Sequence, residues 1–562
     1  MRQPFVLLAC AAALALPAAA PAQPARKPAP AATLAPPGPP GPPGLIVAIS
    51  VDQFSADLFA RYRRYFIGGL ARLQQGVVFP SGYQAHAATE TCPGHSTLLT
   101  GMRPARTGII ANMWYDPAIA RADKRIYCAE DERDPASSSR NPVVSAGQLR
   151  VPTLGERMKA AWPVSRNVAV SAKDRAVMMM GGHAIDAAYW WQGSAFTSLA
   201  GRPLSPAAQA QNAATAAQIE TGAPELAVPA WCAAADAPVP VGGLAMGTGR
   251  FPLEPGRPDA FRVSPRIDGA TGDLAARLVD EMKLGQGAAP DILSVSFSAT
   301  DYIGHAFGSG GAEMCIQLAE LDRTIGRLLA VLDARKLDYA VVLTADHGGS
   351  DTPERLGRQA YPAAMRADKA LTPAALGKTI GERTGIVPVT GPLLYGDGPF
   401  GDYYVSRNLT AGQRAQVVAV LVSLLKSHPE VAAVFTAQQI AEAPMPTGSP
   451  QDWTLLDRAR ASYDKERSGD VVLLLGRGVV PIPDPAPGYT ATHGSVWDYD
   501  RRVPMLFWRP GLSGFEQPNP VETVDIAPTL AALIGLPVPA GTFDGRCLDL
   551  DGGAADTCQP GQ

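Results

Sequence analysis

The chain has 562 residues, 46% of them apolar, and a formal net charge of −3. That length accommodates two or three average domains, or one large α/β domain with insertions. The near-neutral charge gives no argument for a nucleic-acid-binding surface, and no charge block suggests a disordered tail. A phosphate site on such a chain must be built locally, from metals or from a few Lys and Arg.

In chain order, Arg2, the apolar stretch Phe5 to Leu16 and the small residues after it form the pattern of an export signal. Ala20-Pro21-Ala22 places cleavage after Ala22, giving a signal peptide over residues 1–22. Leu7-Leu8-Ala9-Cys10 is a poor lipoprotein box, because it leaves too short an apolar region. Residues 23–44 are a Pro- and Ala-rich linker, stiff and extended, with too few Gly-Pro-Pro steps for a collagen helix. No later stretch is long and apolar enough to span a bilayer. A periplasmic or secreted monomer is expected.

The folded domain is expected over residues 45–562. Apolar runs at 45–51, 168–170, 292–297, 339–345 and 471–475 have the length of buried strands. Between two of them Met314, Leu318, Leu321, Ile325, Leu328 and Leu332 recur at helical spacing, which makes a βαβ unit. Residues 524–534 form another short helix. Stretches near 115–165, 190–285 and 350–465 are richer in Pro, Gly and Ala, and are expected to be insertions capping the strand ends. Six cysteines follow the signal: Cys92, Cys128, Cys232, Cys315, Cys547 and Cys558. Their even number and lack of zinc-finger spacing favour disulfides, with Cys547–Cys558 the simplest pair.

Asp52 and Asp346 each directly follow a strand, and Asp301 lies just beyond a third. In open α/β sheets, ligands collect outside such carboxyl ends. Asp301-x-x-x-His305, Asp346-His347 and His493 on a Gly-Ser loop supply carboxylates and imidazoles suited to zinc. Thr91 precedes Pro93-Gly94, which start a helix, so its hydroxyl sits where free N–H groups favour phosphate. Thr89 competes for that role. Lys173 and Arg175 follow the 168–170 strand and suit phosphoryl oxygens, and the Asn112 amide can donate to the same oxygens. Of the other histidines, His86 and His428 are expected at the surface and His95 inside the helix after Thr91; His183 is a candidate to line the cap.

As an ordered set these residues resemble the alkaline phosphatase superfamily, in particular the threonine-nucleophile, phosphate-irrepressible alkaline phosphatases of bacterial periplasms. The motifs are Thr91-Cys92-Pro93-Gly94-His95, Thr100-Gly101-Met102-Arg103-Pro104, Asp346-His347-Gly348, His493-Gly494-Ser495 with Tyr499-Asp500 and Val503-Pro504, and Asp525-Ile526-Ala527-Pro528-Thr529-Leu530. The resemblance implies a three-layer α/β fold with a mostly parallel central sheet and cap insertions. It selects Thr91 as the nucleophile, through a phosphothreonine. It implies two Zn²⁺, one held by Asp301, His305 and His493, the other by Asp52, Thr91, Asp346 and His347, with no Mg²⁺ site. Asn112, Lys173 and Arg175 match its phosphate-binding groups, and small phosphomonoesters its substrates. Rival readings are a nucleotide-pyrophosphatase-type phosphodiesterase, a sulfatase, and a non-catalytic exported protein that binds metal or phosphate. The sulfatase motif requires Arg where His95 stands.

Overall fold

A computed structural model describes residues 41–553 and 556–558. The expected signal peptide and all but the end of the linker lie outside the described residues. The main sheet comprises β1 (Leu45–Val51), β2 (Val77–Tyr83), β3 (Asn167–Ser171), β4 (Ala187–Gln192), β5 (Ala195–Thr197), β6 (Asp291–Phe297), β7 (Tyr339–Thr344), β8 (Arg502–Trp508), β9 (Phe515–Glu516) and β10 (Val521–Glu522). Its order is β9-β2-β8-β7-β1-β6-β3-β4-β5, with β10 also pairing β2. The five central strands β7, β1, β6, β3 and β4 are mutually parallel, and β8 turns antiparallel on one side. Strands covered on both faces need continuous apolar sequence. β1, β3, β6 and β7 are accordingly buried along their whole length.

The helices used below are α1 (Thr91–Thr100), α2 (Leu154–Ala161), α3 (Asp174–Gly181), α4 (Pro206–Thr221), α5 (Arg266–Glu281), α6 (Ala299–Phe307), α7 (Ala312–Ala334) and α8 (Ile526–Leu533). Alternation along β1 sorts them into layers. Val47 and Ile49 join one core with Leu274 of α5 and Leu318 and Leu321 of α7. Ile46 and Ala48 join the other with Leu98 of α1, Leu154 and Met158 of α2, and Leu530 of α8. The sheet is thus the middle of three layers.

The cap differs from the sequence expectation. Residues 373–475 carry a separate four-stranded sheet, ordered Leu394–Tyr395, Gly401–Val405, Val471–Leu475, Val431–Thr436, with its own apolar cluster. The strand at 471–475 therefore belongs to the cap sheet. Residues 190–285 do not form a cap: β5 extends the main sheet, α5 packs on β6 and α7, and α4 packs on α5. The 115–165 stretch also ends earlier than expected, because α2 packs on β3 and β6 behind a Thr153/Glu156 capping box. The six cysteines form Cys92–Cys128, Cys232–Cys315 and Cys547–Cys558. No helix among the described residues is long and apolar enough to cross a membrane.

Candidate active site

The carboxyl ends of β1, β6 and β7 lie side by side, since Val51 pairs Phe297 and Ser50 pairs both Ser296 and Thr344. Asp52 and Asp346 leave β1 and β7 at that edge, and Asp301 sits in the first turn of α6 after β6. All three carboxylates are buried. The Asp52 turn carries backbone strain, because Gln53 adopts φ 63°, a left-handed conformation uncommon outside glycine. Its N–H donates to Asp346 Oδ1 at 3.1 Å, which ties the two strand ends together. Ser296 Oγ donates to Asp52 Oδ1 at 2.8 Å.

Three histidines share one arrangement. Nδ1 of His305 lies 2.9 Å from the Ala491 carbonyl, Nδ1 of His347 lies 2.8 Å from the Gly348 carbonyl, and Nδ1 of His493 lies 2.8 Å from the Thr89 carbonyl. A carbonyl only accepts, so each Nδ1 carries hydrogen, and each ring in its neutral form offers an Nε2 lone pair. Those lone pairs face carboxylate oxygens. His305 and His493 Nε2 are 3.4 and 3.3 Å from Asp301 Oδ1, and His347 Nε2 is 3.2 Å from Asp346 Oδ2. Asp301 Oδ1, Asp346 Oδ2 and His347 Nε2 are buried without a hydrogen bond. Acceptors opposed at such distances need a proton or a metal cation between them, and, against burial, Asp346 raises the proton affinity of His347 when no metal is bound. The donor set, imidazole nitrogen with carboxylate oxygen, fits zinc.

Asp301, His347 and His493 form one group of close donor atoms, and Asp52, His95 and Asp346 a second. His347 stands between the groups, its ring stacked on His493 with centroids 3.6 Å apart. Burial works against ionising Asp346, but His347 and His95 hold its carboxyl well below the usual range. Burial likewise opposes ionisation of Asp301, and Lys173 and His305 reverse it. Burial and the neighbouring His347 push His493 down to about 3, leaving it neutral.

His95 is different. It is fully buried on α1, as expected, but it also reaches both acidic ends: Nδ1 is 2.9 Å from the Thr91 carbonyl and 3.2 Å from Asp346, and Nε2 is 3.1 Å from Ser296 Oγ and 3.4 Å from Asp52. Burial alone would lower its pKa, yet Asp346 and Asp52 raise it to about 10. It acts as an internal counter-ion with both ring N–H groups engaged.

Thr91 opens α1 and is 1% exposed. Gly94 lets that helix end meet the sheet, because a Cβ there would collide with the Asp346 carbonyl. Arg175 Nη2 approaches Thr91 Oγ1 at 3.5 Å. The Thr89 hydroxyl is already committed, donating to the Ser495 carbonyl at 2.7 Å. Asn112 Oδ1 accepts from the Cys92 N–H at 2.8 Å, which leaves its NH2 for a ligand. Glu90 accepts from the Asn112 N–H at 2.7 Å. Lys173 is 3% exposed and bridges the two acidic groups, 2.6 Å from Asp301 Oδ2 and 2.9 Å from Asp52 Oδ2. An apolar cleft under the cap sheet, lined by Met113 and Phe400, adjoins this centre through Glu90 and Gly494.

One histidine expectation is corrected, and one histidine left open by the sequence is placed. His86 is 1% exposed rather than at the surface, and burial with Arg501 nearby pushes its pKa down to about 3. His183 does not line the cap. It follows α3 at the opposite edge of the sheet, exposed, with Nδ1 3.1 Å from Glu156. Sequence reasoning missed Gln53, Ser296 and Glu90, none of which has a motif of its own, and the ionic reach of His95.

A family model described as type I phosphodiesterase / nucleotide pyrophosphatase matches residues 46–496. The chain belongs to that family. Its members are part of the alkaline phosphatase superfamily. The chain is 52% identical over 517 residues to alkaline phosphatase PhoK of Sphingomonas sp, covering 92% of each chain. It is 49% identical over 518 residues to alkaline phosphatase PhoD of Zymomonas mobilis, covering 92% of this chain and 89% of that one. The crystal structure of alkaline phosphatase PafA shares its fold with a TM-score of 0.77 at 24% identity, over 90% of this chain and 98% of that one.

Proposed function

We propose that this family member is an exported alkaline phosphatase that uses two Zn²⁺ and releases phosphate from monoesters through a phosphothreonine on Thr91. The observation that carries this reading is the convergence of three Nε2 lone pairs and three buried carboxylates beside the Thr91 hydroxyl, with Arg175 Nη2 3.5 Å from that hydroxyl. Asp301, His305 and His493 would hold one zinc, and Asp52, Thr91, Asp346 and His347 the other. When bound, zinc supplies Lewis-acid stabilisation of the attacking and leaving oxygens.

The chain's own groups do the rest. Thr91 Oγ1, its proton passed to solvent, attacks phosphorus in line as the P–O bond to the alcohol breaks. The alcohol leaves protonated by water, and a water then cleaves the phosphothreonine, releasing phosphate and restoring the Thr91 hydroxyl. Arg175, Lys173 and the Asn112 amide receive the equatorial oxygens. The first turn of α1 adds its positive end. Two cations beside the nucleophile suit a dianionic monoester, whereas a diester needs room there for a second organic group. The relatives at 52% and 49% identity carry the alkaline phosphatase name, which supports the monoester reading over the phosphodiesterase one. Three disulfides and the leader pattern support export to the periplasm or beyond.

The deciding experiment compares p-nitrophenyl phosphate with bis-p-nitrophenyl phosphate, before chelation, after it, and after zinc is restored. Zinc-restorable turnover that favours the monoester is expected. Faster diester turnover would support the phosphodiesterase, and no restorable turnover would leave a binding protein.

A further inference from the structure

A second pocket opens next to the phosphate-binding cations, at the carboxyl ends of β3 and β4. It is an open cleft with a volume of about 510 Å³ and shares Lys173 and Arg175 with the site around Thr91. Its outer wall carries Arg140 and Arg262, both exposed. Neither makes an ion pair among the described residues. Asp174, also in the lining, is already occupied: it accepts from the Tyr127 hydroxyl at 2.6 Å and from the Arg175 N–H at 2.7 Å.

The guanidinium of Arg262 is held in place. It lies 4.9 Å from the centroid of Tyr302, whose ring also has Lys173 Nζ at 5.2 Å. A desolvated ring face favours a cation and restrains it. Tyr302 directly follows Asp301, so the outer cation is positioned from the catalytic edge itself. Arg175 Nε is buried with no hydrogen-bond partner, a donor left over on the arm between the two chambers. Trp191 and Val143 give the pocket apolar sides on which a carbon linker can lie.

We propose that this pocket takes a second anionic group, carboxylate or phosphate, of the same substrate molecule whose scissile phosphate sits at Thr91. The preferred substrates are then phosphomonoesters bearing a second anionic oxyacid group. This rests on the phosphomonoesterase reading and extends it. Continuity is the reason for choosing one molecule over a separate ion: Lys173 and Arg175 line both chambers, so a short linker spans them. Arginine matches carboxylate or phosphate oxygens with two parallel N–H groups.

The test is calorimetric titration of the full, zinc-loaded chain with non-hydrolysable phosphonates. Plain alkylphosphonates are compared with ω-carboxyalkylphosphonates over a series of chain lengths. At the best length the carboxylated member should bind roughly tenfold tighter, the worth of one charged hydrogen bond or ion pair. Substituting Arg140→Gln and Arg262→Gln together should remove most of that advantage while the plain alkylphosphonate loses far less. No advantage at any length overturns the proposal. So does an equal loss for both series in the variant, which is diffuse attraction of anions. Turnover of p-nitrophenyl phosphate by the same preparation reports on the phosphomonoesterase reading separately, because the phosphonate comparison needs no hydrolysis.

Discussion

The Cys92 N–H donates to Oδ1 of Asn112 at 2.8 Å, and the Asn112 carbonyl accepts from the N–H of Cys128 at 3.0 Å, the half-cystine bonded to Cys92. One disulfide therefore grips Asn112, proposed to bind phosphate, at both its side chain and its main chain, directly beside Thr91. If the bridge acts through Asn112, replacing both Cys92 and Cys128 by Ser should lower kcat/KM by about tenfold, and Asn112→Ala by about a hundredfold. The triple variant should then match Asn112→Ala, because groups acting as one unit are not additive. Multiplying losses would show that the bridge serves stability alone.

Thr91 and Thr89 should behave in opposite ways. Thr91→Ala removes the proposed nucleophile, and turnover should fall at least a thousandfold, with Thr91→Ser partly active. Thr89→Val removes one donor to the Ser495 carbonyl and should cost about 1 kcal/mol of stability with turnover within tenfold. Acid quenching followed by mass spectrometry of the peptide containing both residues would place the phosphate. Phosphate on Thr89 would refute the assignment.

Gly94→Ala tests the contact between helix and sheet. An added Cβ meets the Asp346 backbone, so α1 must move away from the end of β7. A shift of about 1 Å in a nucleophile's helix costs on the order of a hundredfold in rate. The expected result is that loss with zinc affinity also weakened, followed by competition with a chromophoric chelator. Full activity would mean that the helix end tolerates displacement.

Much of this site is legible in the sequence because of one property of buried parallel strands. Covered on both faces, they are unbroken apolar runs, so Asp52 and Asp346 stand out where the runs stop. The histidines are less legible, since their roles depend on which carbonyl meets Nδ1. His305, His347 and His493 each donate to one, while His95 meets the Thr91 carbonyl and also two carboxylates across the fold, contacts no local pattern announces. His86 looked exposed for the same reason: its cover comes from distant segments. The layer helix α4, Ala-rich and weakly patterned, gave no sign that residues 190–285 belong to the body and not to the cap.

Asp525 predicts a pH effect on stability outside the histidine and carboxylate cluster. It accepts from the N–H groups of Glu522 and Arg546, but burial dominates and pushes its pKa up to about 6. The folded state thus holds this proton more tightly than the unfolded chain. The group costs nothing below about pH 4. The cost grows as pH rises and is complete above about pH 6, at about 2–3 kcal/mol. Asp525→Asn should flatten the stability profile across that window, measured by urea denaturation at successive pH values. An unchanged slope would mean that Asp525 does not titrate there.

Lys173 and Arg175 should not behave as equals, although both are assigned to phosphate. Arg175 is raised in pKa, against burial, by Tyr127 and Asp174, and points to the Thr91 hydroxyl. Removing it deletes the proposed contact to the transferred group, so Arg175→Ala should cut monoester turnover by about a hundredfold and diester turnover by less. Lys173 also neutralises Asp52 and Asp301, one from each acidic group. Lys173→Ala leaves both carboxylates without that cation, and buried charges stripped of a partner are costly. Its defect should therefore include altered metal affinity, with zinc-dependent recovery displaced from that of the parent, whereas Arg175→Ala titrates normally. The measurement is turnover of matched mono- and diesters against free zinc. Identical zinc curves for the two variants would show that Lys173 serves phosphate alone, and equal losses on both ester classes would remove the argument for monoesters.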